Sequence, residues 1–201
     1  MSVSRRLALG IAALATTALA LTGCGTTQAG AAATIGDTRI TETLLTSEVQ
    51  AVLAAKGQPV DTQDASLVSQ VLGRMITIEL VDRLSAAEGV EITQGQVDEV
   101  IANYTGQVGS MEQVEEVFLQ ENVAPSQIES LIRLQAQAQA LGIKLNPSGS
   151  AEEQGTAVFE AASLLSVELD TTVSPRYGTW DAPTLSLGSV PNDLSTLPIA
   201  D

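Results

Sequence analysis

The sequence predicts a mostly α fold: about six helices around one long central helix, with a small β-sheet pairing an N-terminal hairpin near 32–40 with a C-terminal strand near 167–173. Three observations predict it. Apolar residues recur at helical spacing through most of the chain, Ser, Thr or Asp stands ahead of the periodic runs with Gly or Pro behind them, and two short stretches alternate as strands do.

Ala32 to Ile40 reads as a strand, a Gly36-Asp37 turn and a second strand. Thr41 then caps a helix carrying Leu44, Leu45, Val49 and Val52, which ends near Gly57 and Pro59. Asp61 is placed to cap the longest helix, running to about Glu88 before Gly89. Its middle, Met75 to Val81, is apolar on more than one side, as a helix wrapped by others must be, and Glu79 and Arg83 lie one turn apart along it. Thr93 with Gln96 and Ser110 with Gln113 open two shorter helices as capping boxes. The first is striped by Val97, Val100, Ile101 and Tyr104, the second by Val114, Val117 and Phe118. Pro125 begins a fifth helix, stopped by Gly142. After a loop from Leu145 to Gly149, Ser150 with Glu153 caps a sixth, carrying Val158, Phe159, Ala162 and Leu165. Val167 to Val173 alternates and is ended by Pro175. A lone strand cannot satisfy its own backbone, so it is expected to meet the N-terminal hairpin.

Ahead of this body, Arg5 and Arg6 precede an apolar run from Leu7 to Leu21. At helical rise that run spans only about 22 Å, short of a bilayer core, which suits a cleaved secretory signal better than a permanent span. Leu21-Thr22-Gly23-Cys24 resembles a bacterial lipobox, which implies lipidation of Cys24 after removal of residues 1–23. Cys24 is the only cysteine, so no intramolecular disulfide explains it. Ser4-Arg5-Arg6 is similar to a twin-arginine signal, but Ala8 stands where a bulky residue is usual. Residues 24–31 are expected to form a polar, flexible tether, and a lipid on Cys24 is expected to hold the body on the outer face of the cell membrane.

Composition excludes much chemistry. The chain has no histidine, so Ser-His-Asp, Cys-His and histidine-zinc sites are unavailable; no cofactor or metal is expected. Glu115-Glu116 and Glu152-Glu153 are adjacent carboxylates, but helix neighbours point about 100° apart, so both pairs read as solvated faces. The signal takes Arg5 and Arg6 with it, leaving seven basic residues against twenty-four acidic ones. That surface repels nucleic acid and anionic lipid.

The lipobox, the hairpin before a capped helix, the run Gly89 to Val97 and the closing Val173-Ser174-Pro175-Arg176-Tyr177-Gly178-Thr179-Trp180-Asp181 together resemble the chaperone domain of SurA-type foldase lipoproteins, over most of residues 32–181. The closing stretch is similar to a Val-Asn-Pro-Arg-Tyr-Gly-x-Trp-Asp sequence of that group, with Ser174 where Asn is common. Many such foldases carry a parvulin-type isomerase ahead of the last helix. Leu145 to Gly149 is too short to hold one, so the resemblance implies the chaperone part without the isomerase: a holder of unfolded polypeptides that turns nothing over. A structural or adaptor lipoprotein with one fixed partner is the rival reading, and an unusual isomerase the third.

Tyr177 and Trp180 are two of five aromatic residues. They are expected as plugs against the sheet or helix edges, or else, with Arg176, as part of a groove for extended peptides. Tyr104, Met111, Phe118 and Leu119 are candidate client contacts on an arm formed by helices three to five, and the Gln135–Ala140 run of alanine and glutamine suits an adaptable surface. Residues 182–201, with three prolines and no periodicity, are expected as a mobile tail. Sequence fixes no oligomeric state.

Overall fold

The computed structural model describes residues 30–190; the expected signal, Cys24 and most of the tether lie outside them. Two strands, β1 (Ala31–Ile35) and β2 (Thr38–Thr41), form an antiparallel hairpin, with Gly36 at φ 58° supplying the left-handed turn. A third strand, β3 (Thr172–Val173), adds antiparallel to β1, giving the order β2-β1-β3. The N-terminal hairpin and the segment after the last long helix therefore meet, and the hydroxyls of Thr34 and Thr172 lie 2.7 Å apart across that seam.

Six α-helices stand among the described residues: α1 (Glu42–Ala55), α2 (Ala65–Glu88), α3 (Gln94–Val108), α4 (Met111–Gln120), α5 (Ile128–Leu145) and α6 (Ala151–Glu168). Thr41 accepts from the Leu44 amide at 3.1 Å, and reciprocal capping boxes at Thr93/Gln96 and Ser150/Glu153 open α3 and α6. Ser110 caps α4 by accepting from Gln113 N.

Several boundaries differ from expectation, each for a local reason. The cap of α2 is Asp64, which accepts from Leu67 N at 2.9 Å; Asp61 lies inside a turn closed by Thr62 onto the Pro59 carbonyl. Pro125 opens a 3-10 turn through Gln127 before α5 begins. Gly142 does not stop α5: it is buried where α6 crosses, and a Cβ there would lie 2.9 Å from that of Gln154. The alternation at Val167 belongs to α6, which runs to Glu168, leaving only Thr172–Val173 as strand. Nor does the tail begin at Ala182. Trp180–Asp181 (β4) pairs with Ser186–Leu187 (β5) around a 3-10 turn, and Leu185 and Leu187 pack onto the core. Residues 191–201 lie outside the described ones.

Three apolar clusters share the body. The sheet, α1 and the first half of α2 bury Ile35, Leu45, Leu53, Leu72 and Ile76. The second half of α2 meets α5 and α6 through Val81, Leu84, Leu141 and Val158. The third joins α3, α4 and the start of α5 through Val97, Val114, Phe118 and Ile132. Helix α2 serves the first two, as its two-sided apolar middle requires. At roughly 1.5–3 kcal/mol for each fully buried large aliphatic chain, that helix is where the fold is anchored.

Candidate functional site

A groove of about 520 Å³ opens between α2, α5 and α6. Its depth comes from small residues where the helices face each other: Ala138 and Gly142 on α5, Gly155 and Ala162 on α6. Its walls are Leu134, Val158 and Phe159, the last 44% exposed at the rim. Thr77, Gln135, Gln139 and Gln154 supply the polar atoms, and no charged side chain lines it. Gln154 is held by the carbonyls of Asn146 and Gly149 at 3.3 and 3.2 Å, which fixes the loop between α5 and α6 at one end.

Three members of the Gln135–Ala140 run, Gln135, Ala138 and Gln139, line this groove. The aromatic candidates lie elsewhere. Phe118 is buried inside the cluster of α3, α4 and α5, with Tyr104 edge-on to it at 5.8 Å and 75° and Met111 packed against the same cluster. Tyr104 also donates from its hydroxyl to Gln135 Oε1 at 3.4 Å, joining the arm to the groove. Leu119 packs on the core beneath the sheet.

Tyr177 and Trp180 are half-buried against that same core, and Trp180 donates its indole N–H to Ser166. They act as plugs. Arg176 reaches Glu42 at 3.1 Å, and with Tyr177 it edges a separate, mixed cleft of about 470 Å³ beside Asp61 and Asp64. Sequence reading missed the α6 wall and Leu185; the signal for the wall was the spacing of Ala151, Gly155, Val158 and Ala162, one stripe of mostly small residues.

Electrostatics divide the body. Arg83 bridges Asp37 and Glu79, Arg133 reaches Glu129 at 3.5 Å, and Lys144 reaches Glu88 at 3.7 Å. None of these pairs involves α6, which carries Glu152, Glu153, Glu160 and Glu168 and no cation. Ser150 holds Glu153 below the usual carboxylate range through its backbone N–H and its hydroxyl. Burial pushes the Arg74 guanidinium down, opposed by the charge of Glu48. Among the described residues no cluster of acidic or sulfur side chains is arranged to hold a metal, and no helix is long and apolar enough to cross a membrane.

The described residues form a helical body hung on one long helix, with the N-terminal hairpin joined to β3 in a short sheet and an uncharged groove on its flank. The chain belongs to the family of SurA-like N-terminal domains, whose model matches residues 3–142. That domain is the chaperone part of a foldase rather than its catalytic part, and a chaperone-like role follows from membership. The match ends within α5, so α6 and the closing aromatic stretch lie beyond it. No curated protein and no solved structure matches the chain.

Proposed function

We propose that this protein is a membrane-tethered extracytoplasmic holdase, which keeps unfolded or newly exported polypeptides soluble by binding their apolar segments in the groove between α2, α5 and α6. The observation that carries this reading is the combination of an uncharged groove of about 520 Å³ with a strongly acidic body. Apolar surface that is exposed invites self-association, and a net charge of −15 opposes it. The lipobox-like Leu21 to Cys24 supplies the tether. No covalent step is required, in keeping with a chain that has no histidine.

The test uses the chain from residue 25 onward. It is expected to suppress aggregation of chemically unfolded clients at near-equal stoichiometry, and Ala138→Trp, which fills the groove, is expected to abolish suppression while preserving the helical circular-dichroism spectrum. Failure against several unrelated clients would overturn the reading. Separately, Cys24→Ser is expected to release the protein from the membrane fraction and abolish labelling by a fatty-acid analogue.

One observation favours a second reading, an adaptor with a fixed partner. Leu164 and Val167 are 72% and 61% exposed on the face of α6 turned away from the groove. A single stoichiometric complex on crosslinking in cells, lost in Leu164→Ser, would support it. An isomerase is the third reading; a proline-peptide assay at background rate closes it.

A further inference from the structure

Every residue lining the groove belongs to α2, α5 or α6 except Leu185, which the closing hairpin carries there between its 3-10 turn and β5. Trp180, anchored on Ser166, sets that hairpin across α6 one turn beyond Ala162 of the groove wall. Leu185 is thereby half-buried at one end of the groove, packed both on the cluster of the sheet and on that of α2, α5 and α6. Its backbone stands at φ 47° and ψ 43°, in the left-handed region. Three non-glycine residues do so among the described ones, and the other two, Asn122 and Asp170, are polar types that enter it readily. A leucine is strained there, and packing must hold it. Its own hydrogen bonding does little: the amide reaches the Ala182 carbonyl at 3.3 Å, and the two strands of the hairpin pair over two residues each.

We propose that Leu185 is an occupant of the groove supplied by the chain itself, holding the place of a client's aliphatic side chain, and that a client binds fully by displacing it. The proposal rests on the reading of the groove as the client site and adds what its end takes. A position that fits a leucine of this chain fits a leucine, isoleucine or methionine of another. It rejects an ionised group, which no charged side chain of the lining would meet. Exchanging one leucine for another leaves the buried apolar area nearly unchanged, while the hairpin tip relaxes to ordinary backbone, so release of strain favours the exchange. Without a client, Leu185 keeps that apolar corner covered, which limits self-association. It also competes with clients, and lowers their apparent affinity by the fraction of molecules in which the end stands open.

The test uses the chain from residue 25 onward and a fluorescein-labelled peptide of leucine and alanine with serine flanks, its binding followed by anisotropy. Leu185→Gly and Leu185→Asn both suit the left-handed backbone and remove the apolar side chain, so the helical circular-dichroism spectrum is expected to match the wild type. Both are expected to bind the peptide about five-fold more tightly than the wild type does. The same peptide with serine in place of leucine is expected not to bind. In hydrogen exchange of the wild-type chain, residues 182–187 are expected to exchange faster at saturating peptide, while Trp180 emission stays unchanged. Weaker binding by either variant, or added protection of 182–187, overturns the proposal, because Leu185 is then a fixed wall that the client touches. Equal binding by all three chains overturns it as well, and so does a red shift of Trp180 with peptide, the whole hairpin then leaving α6. Each of these results leaves the holdase reading standing. If no chain binds the peptide and no client is kept soluble, the holdase reading fails and this one with it.

Discussion

The indole N–H of Trp180 donates to the hydroxyl of Ser166 at 2.8 Å, tying the closing hairpin to a buried position on α6. The same ring packs on the core beneath the sheet, the arrangement that a packing role requires. Trp180 is the only tryptophan, which makes its emission a direct reporter. We expect a blue, quencher-protected emission unchanged by added client peptide. Ser166→Ala removes the acceptor from a half-buried donor and is expected to lower unfolding free energy by about 1 kcal/mol in urea titrations, with a red shift of the native emission. A client-dependent shift in the wild-type chain would instead put the ring in a binding surface.

Helix ends show how much of this fold the sequence disclosed. Four helices close in the same way, with a left-handed residue whose following amide bonds back to the carbonyl five residues earlier: Gly57, Gly89, Asn122 and Asp170. The two glycines announce themselves in the sequence. Asn122 and Asp170 do not, because a polar side chain can enter this conformation without signalling it, and the α6 end reads as a strand. The side-chain amide of Asn122 also receives Lys56 and donates to Gln70 at 2.7 Å, while its carbonyl receives Arg74 at 2.9 Å, contacts over more than forty residues that no local pattern encodes. Caps and stripes were local and legible; the groove was not, since it exists only where α2, α5 and α6 come together. Asp170→Val, a β-branched residue forced to φ 48°, is expected to cost about 1–2 kcal/mol by urea unfolding, and Asp170→Gly to be neutral or slightly stabilising.

Gly142 was expected to end a helix and instead permits two to touch. A methyl there would meet Gln154 at its Cβ and, 3.3 Å away, its carbonyl oxygen, so backbone must move. Alanine is the better helix former by about 1 kcal/mol, yet overpacking at a backbone contact costs about 1–3 kcal/mol. Gly142→Ala is therefore expected to destabilise modestly, and to weaken client binding more than its stability loss accounts for, because the residue also floors the groove. Urea unfolding and peptide anisotropy on one preparation separate the two effects.

Arg83 ties the hairpin to α2, donating to Asp37, to Glu79 at 2.7 Å and to the Thr38 hydroxyl at 2.6 Å. The hydrogen bond from Arg83 holds the Asp37 carboxyl below its ordinary range, helped by a backbone bond at the same residue. A carboxylate depressed in the folded state stabilises it fully above the unfolded value, about 3.9, and that contribution is lost as pH falls through the folded value. Glu112 and Glu153, each lowered by hydrogen bonds at its helix start, act in the same direction. Asp37→Asn is expected to lower the urea midpoint at pH 6 and to match the wild type at about pH 2 and below; a gap that persists there would mean that the turn, not the charge, was changed.

The arm is the part of the body most separable from the rest. Its cluster centres on Phe118 against Tyr104, and α3 and α4 join the rest of the body chiefly through α5, the turn at Pro125 and Leu119. A unit that shares so little apolar surface with α2 can open without unfolding it. Phe118→Ala removes a buried ring and is expected to cost the arm about 3–4 kcal/mol. In native-state hydrogen exchange, amides of α3 and α4 are then expected to lose protection while those of α2 and the hairpin keep theirs. Equal acceleration across α2 would show a single cooperative unit, and the Tyr104–Gln135 contact would then couple arm and groove in one equilibrium.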